Sequence, residues 1–357
     1  MRRGRDGHGS DPMSAGAPLT DALGRPLRDL RISLTDRCNF RCHYCMPAEV
    51  FGEHYEFLPR EELLTFEEIE RLARLLVDSG VKKIRLTGGE PLLRRGVAEL
   101  VERLAGIDGI DDIALTTNGY LLERHARNLR AAGLHRLTIS LDSMDDGVFR
   151  EMNGRDYSLD RVLGGIAAAT AAGFDSLKIN CVVQRGANDH TFVDLARHFK
   201  GSGHIVRFIE FMDVGTRNEW DFEQVVAAQE IRERIDAEMP LEAVSPNYRG
   251  EVANRYAYRD ETGEIGIIAS VTQPFCGDCG RLRLSTDGRF IGCLFAADGI
   301  SLRDPLRTGA DDAELQELIA GSWGARQDRY SEERATRPAS NGQEPADRKI
   351  EMYQIGG

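Results

Sequence analysis

Predicted strands and helices alternate along the first 212 residues of the chain, and this alternation restricts the fold more than any other feature. Short apolar runs predict strands at residues 30–34, 83–87, 113–117, 136–141, 176–183 and 205–212. Amphipathic patterns between them predict helices at residues 65–79, 97–104, 123–132, 160–172 and 190–200. Strand–helix units at this spacing form right-handed βαβ connections and a parallel sheet. The sequence therefore predicts an α/β fold, built either as a barrel or as a doubly wound sheet.

The side chains on the two faces of the predicted strands favour the barrel. One face is Ile, Leu and Val, and the other carries polar or small residues. These are Arg31, Ser33, Arg85, Thr87, Ala114, Thr116, Thr138, Ser140, Lys178 and Asn180. Strands of a doubly wound sheet are apolar on both faces because helices cover both. A repeated polar face with six strands instead of eight predicts an incomplete (β/α)6 TIM-like barrel with a ligand-filled lumen, open at one side. The alternative is that the Arg and Lys side chains snorkel to solvent at strand ends.

Cysteine spacing predicts two metal centres. The seven cysteines are Cys38, Cys42 and Cys45, then Cys181 alone, then Cys276, Cys279 and Cys293. An odd number of clustered cysteines indicates metal ligation, and the isolated one is expected to be a buried small hydrophobe. Structural zinc sites use four ligands and iron–sulfur clusters usually use four cysteines. Each group of three therefore predicts a metal centre with one open position.

The first cysteine group lies where a β/α barrel places its active site, at the carboxyl end of a strand. Its C-x3-C-x2-C loop follows the first predicted strand, and a Gly88-Gly89-Glu90-Pro91 turn follows the second. A zinc knuckle in a structural loop would explain the cysteines but neither the turn nor the polar lumen. The combination resembles the radical S-adenosylmethionine superfamily. That resemblance implies a [4Fe–4S] cluster on Cys38, Cys42 and Cys45 whose open iron binds S-adenosylmethionine.

The second cysteine group narrows the resemblance to one family within that superfamily. Arg281 and Arg283 lie on one face of a predicted strand beside it, and two guanidiniums near an open iron suit a phosphorylated substrate. Together with the terminal Gly356-Gly357, this arrangement resembles the MoaA family, the GTP 3′,8-cyclases of molybdenum cofactor biosynthesis, over about residues 21–357. The resemblance implies adenosylmethionine contacts at Tyr44, Gly89, Ser140 and Met212 and a second [4Fe–4S] cluster on Cys276, Cys279 and Cys293, whose free iron binds guanine.

The same resemblance implies a substrate, a reaction and partners. The implied GTP contacts are Arg31, Arg85, Thr116, Lys178, Arg281, Leu282 and Arg283, with Arg281 and Arg283 as the catalytic residues. A 5′-deoxyadenosyl radical would abstract the 3′ hydrogen of GTP, and C3′ would attack guanine C8 to give (8S)-3′,8-cyclo-7,8-dihydroguanosine 5′-triphosphate. The implied partners are a reduced flavodoxin- or ferredoxin-type electron donor and the downstream cyclic pyranopterin monophosphate synthase. A homodimer is compatible with the resemblance.

Composition and charge argue against nucleic-acid-binding, membrane-bound and secreted proteins. A net charge of −12 argues against nucleic acid and membrane surfaces as partners, and no apolar run is long enough to span a bilayer or serve as a signal peptide. We therefore expect a cytoplasmic protein. The expected regions are a disordered extension at residues 1–20, a barrel at 21–213, and an α+β module at 214–357 that carries the second cluster. This module would include a flexible segment near 327–348 and the Gly-Gly tail.

Two other hypotheses stay open. One is a radical enzyme that modifies peptides and carries auxiliary clusters, although such extensions usually contain more cysteines than this one. The other is a non-catalytic iron–sulfur or zinc sensor whose second module is regulatory.

Overall fold

A computed structural model describes residues 18–334 and 349–356, in which twelve strands form one sheet. The strands are β1 (Asp29–Ser33), β2 (Lys83–Thr87), β3 (Asp112–Thr117), β4 (Arg136–Ser140), β5 (Lys178–Val183), β6 (Ile205–Glu210), β7 (Leu241–Val244), β8 (Asn254–Tyr258), β9 (Glu264–Ile268), β10 (Arg281–Leu284), β11 (Arg289–Ile291) and β12 (Ile300–Ser301). The helices are α1 (Phe66–Asp78), α2 (Val97–Ala105), α3 (Leu122–Ala131), α4 (Asp146–Asn153), α5 (Leu159–Ala171), α6 (Phe192–Phe199), α7 (Ala228–Glu238), α8 (Arg303–Arg307), α9 (Asp312–Gly324), α10 (Tyr330–Glu333) and α11 (Met352–Ile355). All strands and helices predicted between residues 30 and 212 are present, and α4 is an addition.

The centre of the sheet is parallel, which confirms the predicted α/β class. β1 to β6 are neighbours in chain order, and each is parallel to the next. β10 pairs in parallel with the free edge of β1, and β9 does the same with β6. Antiparallel strands then continue outward, β11 and β12 on one side and β8 and β7 on the other. Within the described residues β12 and β7 end the sheet without pairing to each other, so the predicted barrel is extended at both edges.

Helix α1 shows how the local sequence builds the outer layer. The Thr65 hydroxyl accepts from the N–H of Glu68, and the Glu68 carboxylate accepts from the N–H of Thr65, which forms a capping box. Ile69, Leu72 and Leu76 lie on one face of the helix and are fully buried. Burial of each such side chain contributes about 1.5–3 kcal/mol. The helix is therefore held outside the sheet and leaves the inner face free.

The two faces of the parallel strands differ as the sequence predicts. In β2, Ile84 and Leu86 are 1% and 0% exposed and belong to the hydrophobic core, whereas Arg85 lines a cavity on the opposite face. In β5, Cys181 is buried in the core and Lys178 lines the same cavity. The polar face is therefore the wall of a lumen, and snorkelling does not account for it.

The C-terminal part of the chain is joined to the barrel more closely than the sequence predicts. β10 and β11 form an antiparallel hairpin. β9 and β10, however, follow the expected boundary at residue 213 and pair with β6 and β1 in the same sheet. The module contains α7 and the strands β7 and β8, and the sequence pattern did not predict these two strands. Strands from both parts of the chain therefore enclose the lumen together.

The predicted disorder near the chain ends is partly wrong. Residues 1–17 and 335–348 lie outside the described residues. Within 18–20, however, Leu19 donates to the Ser79 carbonyl at 2.9 Å and Thr20 forms a bridge with Pro26. Residues 327–334 contain α10 and the buried Arg334. None of the helices in the described ranges is both long and apolar enough to cross a membrane.

Candidate active site

The first three cysteines lie together in the loop that follows β1. Cys38, Cys42 and Cys45 are half-buried, and the N–H of Cys45 donates to the Cys42 carbonyl at 2.9 Å. Burial, followed by the charge of Glu90, raises the pKa of Cys38 to about 12. Burial also raises the pKa of Cys45, and the neighbouring charge of Cys38 adds to the effect. The fold thus brings three thiols close together in a site where a cation is needed to favour their ionised form.

Three thiols are the donor set of an iron–sulfur cluster with one open iron. In the part of the chain that the structure describes, no group of three or more Cys, His, Asp or Glu side chains is arranged to hold one metal ion. In a cubane cluster each thiolate binds a different iron, so the sulfurs stand farther apart than around one zinc. Three thiols with one position left open are the donor set expected for a [4Fe–4S] cluster that keeps one iron free.

The Gly-Gly-Glu-Pro turn packs directly on the cysteine loop. The N–H of Gly89 donates to the Thr35 carbonyl at 2.7 Å, and the N–H of Glu90 donates to the Arg37 carbonyl at 2.8 Å. A Cβ on Gly88 would lie 2.5 Å from the Thr35 oxygen, and one on Gly89 would lie 2.3 Å from the Arg37 oxygen. Both glycines are therefore required for the close approach of two loops at the carboxyl ends of β1 and β2.

Glu90 holds this turn against the end of β3. Its buried carboxylate accepts from the Thr117 hydroxyl and the Asn118 N–H at 2.8 Å each, and from the Leu92 N–H at 3.0 Å. Burial raises the pKa of Glu90 to about 7 despite these hydrogen bonds. The Asn118 amide in turn donates to Asn39 in the cysteine loop at 2.9 Å. The loops after three neighbouring strands therefore form one connected structure.

The other predicted adenosylmethionine contacts also lie at the carboxyl ends of strands. The Tyr44 hydroxyl donates to the Asp142 carboxylate at 2.8 Å, which also accepts from the Val182 N–H. Burial raises the pKa of Asp142 to about 6. Ser140 is the last residue of β4, and Met212 follows β6 and lines the lumen. Their contacts with adenosylmethionine stay predictions.

The lumen is a large cavity that collects most of the predicted substrate residues. Its empty space, including the part open to solvent, is about 1530 Å³. Its lining includes Arg31, Arg85, Thr116, Lys178, Arg281, Arg283, Cys276, Cys279 and Cys293. Leu282 is 1% exposed and belongs to the hydrophobic core, so its side chain faces away from the cavity.

The strand register places the cations side by side. Arg283 of β10 is level with Arg31 of β1, which is level with Arg85 of β2. Lys83 and Arg207 also line the cavity although neither was predicted to. Lys83 lies two residues before Arg85 on the same strand, so the alternation that predicted Arg85 would also have found it. The wall is therefore more basic than the predicted residues suggest.

These cations are held close enough to oppose one another's charge. Burial, followed by the charge of Arg207, lowers the pKa of Lys178 to about 7. Burial, followed by Arg85, lowers the pKa of Arg207 to about 9, and burial, followed by Arg281, lowers that of Arg283 to about 10. A polyanion in the lumen would relieve this repulsion.

The second cysteine group borders the same cavity and has a different electrostatic setting. Cys276 opens a short helical turn, Cys279 ends it, and Cys293 follows β11. Arg281 donates to the Cys279 sulfur from Nε at 3.3 Å and from Nη2 at 3.2 Å. Burial disfavours the thiolate, but Arg281 and then Arg326 outweigh it and lower the pKa of Cys279 to about 6. This group therefore also fits a cluster with three protein ligands, facing the cationic lumen.

Comparison with known proteins identifies the family. Residues 32–199 match the Radical SAM superfamily, and residues 204–332 match Molybdenum Cofactor Synthesis C. The chain is 52% identical over 359 aligned residues to the GTP 3′,8-cyclase of Acidothermus cellulolyticus, covering 95% of this chain and 99% of that one. The GTP 3′,8-cyclase of Xanthomonas campestris is 50% identical, with 97% of this chain and 99% of that one covered. The chain belongs to the GTP 3′,8-cyclase family.

Solved structures agree with this family on the fold. Streptococcus suis SuiB bound to S-adenosylmethionine matches with a TM-score of 0.57 at 16% identity, over 82% of this chain and 68% of that one. The same protein bound to its precursor peptide SuiA matches with a TM-score of 0.58 at 14% identity, over 89% and 68%. At this identity the likeness shows the radical SAM fold alone. It therefore does not favour the peptide-modifying alternative over the GTP 3′,8-cyclase family.

The end of the chain enters the site of this GTP 3′,8-cyclase family member. Gly356 follows α11, and a Cβ on it would lie 2.1 Å from the Thr87 Cγ2 atom at the end of β2. Arg283 donates to the Gly356 carbonyl at 2.6 Å. Gly356 thus lies beside Arg283 and Thr87, whereas Gly357 lies outside the described residues. The tail thus contacts residues of β2 and β10, and its Met352 lines the lumen.

Some site residues could not be found from strand patterns. Arg326 donates to the Cys279 carbonyl at 2.7 Å, and Arg25 donates to the Cys276 carbonyl at 2.9 Å. Both lie outside strands, so no alternation marks them. Only the tertiary fold brings them to the second cysteine group of the GTP 3′,8-cyclase.

Proposed function

We propose that the chain converts GTP to (8S)-3′,8-cyclo-7,8-dihydroguanosine 5′-triphosphate, the first step of molybdenum cofactor biosynthesis. The observation that carries the proposal is the lumen in which Arg31, Arg85 and Lys178 face Cys276 and Cys279. Buried cations that repel one another suit a triphosphate, and an open iron suits a nitrogen or oxygen atom of a base. A nucleoside triphosphate carries both groups on one molecule. The family of the chain identifies that nucleotide as GTP.

The first cysteine group would hold the radical-generating cofactor. Cys38, Cys42 and Cys45 would bind three irons of a [4Fe–4S] cluster, and Tyr44, Gly89, Ser140 and Met212 would contact S-adenosylmethionine. When bound, this pair supplies the carbon radical that removes the 3′ hydrogen atom of GTP. The loops after β1, β2 and β3 are linked through Glu90 and Asn118, so this chain's residues hold the cofactor loops in one fixed arrangement.

The lumen would bind and orient GTP between the two cysteine groups. Cys276, Cys279 and Cys293 would hold the second cluster beside the guanine. The triphosphate would neutralise Arg31, Arg85 and Lys178, with Lys83 and Arg207 as further contacts, and Thr116 would provide a hydrogen bond. The anion would raise the pKa of Lys178 and hold its proton in place. Binding at both ends would bring C3′ close to C8 of the same molecule, because the nucleotide is fixed from base to phosphate.

Arg281 and Arg283 would act at the reacting part of GTP. Arg281 already donates to the Cys279 sulfur, whereas Arg283 donates to the tail at Gly356. The two guanidiniums would therefore contact GTP from different positions, Arg281 from beside the second cluster and Arg283 from beside the tail. The main chain of Leu282 is the part of that residue able to contact GTP, because its side chain lies in the core.

The proposal includes partners and a location. A reduced flavodoxin- or ferredoxin-type protein would deliver the electron to the first cluster, and cyclic pyranopterin monophosphate synthase would take the product. Two copies of the chain would form a homodimer in the cytoplasm. Mixing the purified protein with each donor type and measuring turnover tests the first point.

Anaerobic reconstitution tests the activity. We expect iron and sulfide for two [4Fe–4S] clusters per chain, and 5′-deoxyadenosine formed together with the cyclised nucleotide when GTP is supplied. ATP in place of GTP is the matched control and should give neither product. Zinc in place of iron, or 5′-deoxyadenosine formed equally without GTP, would contradict the proposal and favour the sensor or the peptide-modifying enzyme respectively.

A further inference from the structure

A short hairpin before β1 inserts a buried arginine next to the second cysteine group. The N–H of Leu27 donates to the Leu19 carbonyl at 2.8 Å, and Asp21 accepts from the N–H of Arg25 at 2.9 Å. Arg25 is 2% exposed, and the indole N–H of Trp323 donates to its carbonyl oxygen at 3.3 Å. The hairpin is therefore a built part of the protein interior although it precedes every strand of the sheet.

The Arg25 guanidinium leaves one nitrogen without a hydrogen-bond acceptor. Its Nε atom donates to Asp21 at 2.6 Å, and its Nη1 atom donates to the carbonyls of Cys276 at 2.9 Å and Asp328 at 2.7 Å. Nη2 is buried and has no acceptor among residues 18–334 and 349–356. Arg25 lines the cavity that the three later cysteines also line. A buried, charged donor without an acceptor is unfavourable, so this nitrogen points to a missing anionic group.

A second guanidinium reaches the same place from another element. Arg326 follows α9 and donates from Nη2 to the Cys279 sulfur at 3.5 Å. Its Nη1 atom lies 3.4 Å from the Asp21 carboxylate, and its guanidinium lies over the Trp323 ring at 4.6 Å. The Asp21 side chain is 0% exposed. Asp21 therefore fixes two arginines that both border the second cysteine group.

The first cysteine group has one buried arginine, Arg41, which donates from Nη1 to the Cys38 carbonyl at 2.7 Å, but among the described residues no guanidinium donates to a sulfur of this group. The donors to the Cys38 sulfur are the N–H of Phe40 at 3.4 Å and the amide of Asn118 at 3.8 Å. Both are neutral. Hydrogen bonds and positive charge at cluster sulfurs stabilise the reduced form, so the two groups provide different conditions for reduction.

We propose that Asp21, Arg25 and Arg326 form a supporting triad for the second cluster, in which the free Nη2 of Arg25 donates to a cluster sulfur. The triad retains the cluster and raises its reduction potential above that of the first cluster. These are positioning residues, not catalytic ones. The inference rests on the second cluster of the proposed function but not on GTP turnover.

The test compares the anaerobically reconstituted full chain with its Arg25→Met and Arg326→Met variants. Each is titrated with a reductant, and electron paramagnetic resonance measures the reduction of each cluster. We expect the potential of the second cluster to fall in both variants while that of the first is unchanged. Arg25→Lys keeps the positive charge but lacks the forked guanidinium. The potential of its second cluster should therefore lie between those of Arg25→Met and the unmodified chain. Iron should leave the second cluster several-fold faster in the presence of a chelator.

Arg94→Met is the matched control. Arg94 is a partly buried arginine that donates to the carbonyls of Leu34 and Leu64 and does not line the cavity, so its loss should leave the potential of the second cluster unchanged.

Circular dichroism and the signal of the first cluster check that the variants fold, and Arg326→Met carries the test if Arg25→Met does not fold. An unchanged potential with full iron retention in both variants would overturn the proposal. A loss of GTP affinity with an unmoved potential would also overturn it, because Nη2 would then serve the substrate. No cyclisation by the unmodified chain, with both potentials measurable, would instead count against the proposed function and not against the triad.

Discussion

The Nη1 atom of Arg283 donates a hydrogen bond of 2.6 Å to the carbonyl oxygen of Gly356. One residue lies on β10 beside the second cysteine group, and the other is next to the last residue of the chain. Gly356 has a φ of +66°, and its α-carbon faces Thr87 at the end of β2. The tail is therefore part of the wall of the lumen, and its exact path depends on a residue without a side chain.

Gly356→Ala should slow turnover without loss of folding. The new Cβ would lie 2.1 Å from Thr87 Cγ2, and the left-handed φ also disfavours alanine, so the tail must shift. Because a displacement of one ångström can reduce a rate about 100-fold, we expect a fall in kcat on this order. Gly321→Ala, at a helical glycine of α9 with no atom near its Cβ position, is the control and should keep full activity. Normal cyclisation by Gly356→Ala would show that the tail position does not matter.

Arg283→Ala should keep both clusters and lose GTP turnover. Arg283 is 4% exposed and lines the lumen, and its guanidinium donates to the tail carbonyls of Ile355 and Gly356. Removal of the guanidinium should therefore reduce cyclisation by at least about 100-fold while iron content is unchanged. Arg289→Ala, on the exposed side of the same hairpin, is the control. Retained turnover would contradict the assigned role, and loss of iron would assign Arg283 to the cluster instead.

Lys178 should make GTP affinity depend on pH. Burial and the charge of Arg207 lower its pKa to about 7 in the free protein, whereas the bound triphosphate favours the ammonium form. Below pH 7 the proton is already present; above it, binding must take up a proton, so the Kd for GTP should rise as pH increases from about 7 towards 9. Lys178→Met should weaken binding most at low pH and flatten this slope. Exposed Lys82→Met is the control, and an unchanged slope in Lys178→Met would count against the assignment.

The lowered pKa of Lys178 also predicts how the stability of the folded protein depends on pH. An unfolded lysine has a pKa of about 10.4, so between about pH 7 and pH 10 the folded, ligand-free protein binds fewer protons than the unfolded chain. The contribution of Lys178 to the free energy of unfolding therefore increases with pH across this window, and the group destabilises most below pH 7. Lys178→Met should raise the melting temperature of the ligand-free chain at pH 6.5 more than at pH 9.5. An equal rise at both values would show that packing, not charge, is responsible.

Strand periodicity explains what the sequence could predict of the site. Arg31, Arg85 and Lys178 occupy alternate positions in predicted strands, and alternation with a period of two assigns them all to one face without any knowledge of tertiary structure. Arg25 and Arg326 lie in irregular segments and reach the cysteines only because the chain folds back from both ends. The pairing of β10 with β1 likewise joins segments far apart in sequence, and no local pattern encodes such a partner.

Asp213 is another residue whose role no local sequence pattern marks, and it binds side chains next to the tail. The Asp213 carboxylate accepts from the Nζ atom of Lys349 at 3.0 Å, from the Nε atom of Arg334 at 2.9 Å, and from the Tyr330 hydroxyl. Burial disfavours its charge, but these donors outweigh burial and lower the pKa of Asp213. Lys349 and Arg334 flank residues 335–348, and Asp213 directly follows Met212 of the lumen wall. One carboxylate therefore joins the start of the tail to the predicted adenosylmethionine site.

Asp213→Asn should loosen the tail and reduce kcat more than it changes the KM for GTP. Asparagine keeps the size and the oxygen acceptor but removes the charge opposite Arg334 and Lys349, whose side chains are 6% and 19% exposed. Loss of one partner of a fully buried pair costs about 3–5 kcal/mol, and less is expected here because Lys349 is partly hydrated. Hydrogen–deuterium exchange of residues 349–356 should become faster, and more 5′-deoxyadenosine should form per molecule of cyclised GTP. Asp260→Asn, which removes an exposed carboxylate paired with Lys200, should change neither quantity. Because Asp213 would act only through the tail, Asp213→Asn should add little to the defect of Gly356→Ala; a fully additive loss of activity would mean that Asp213 works by another route.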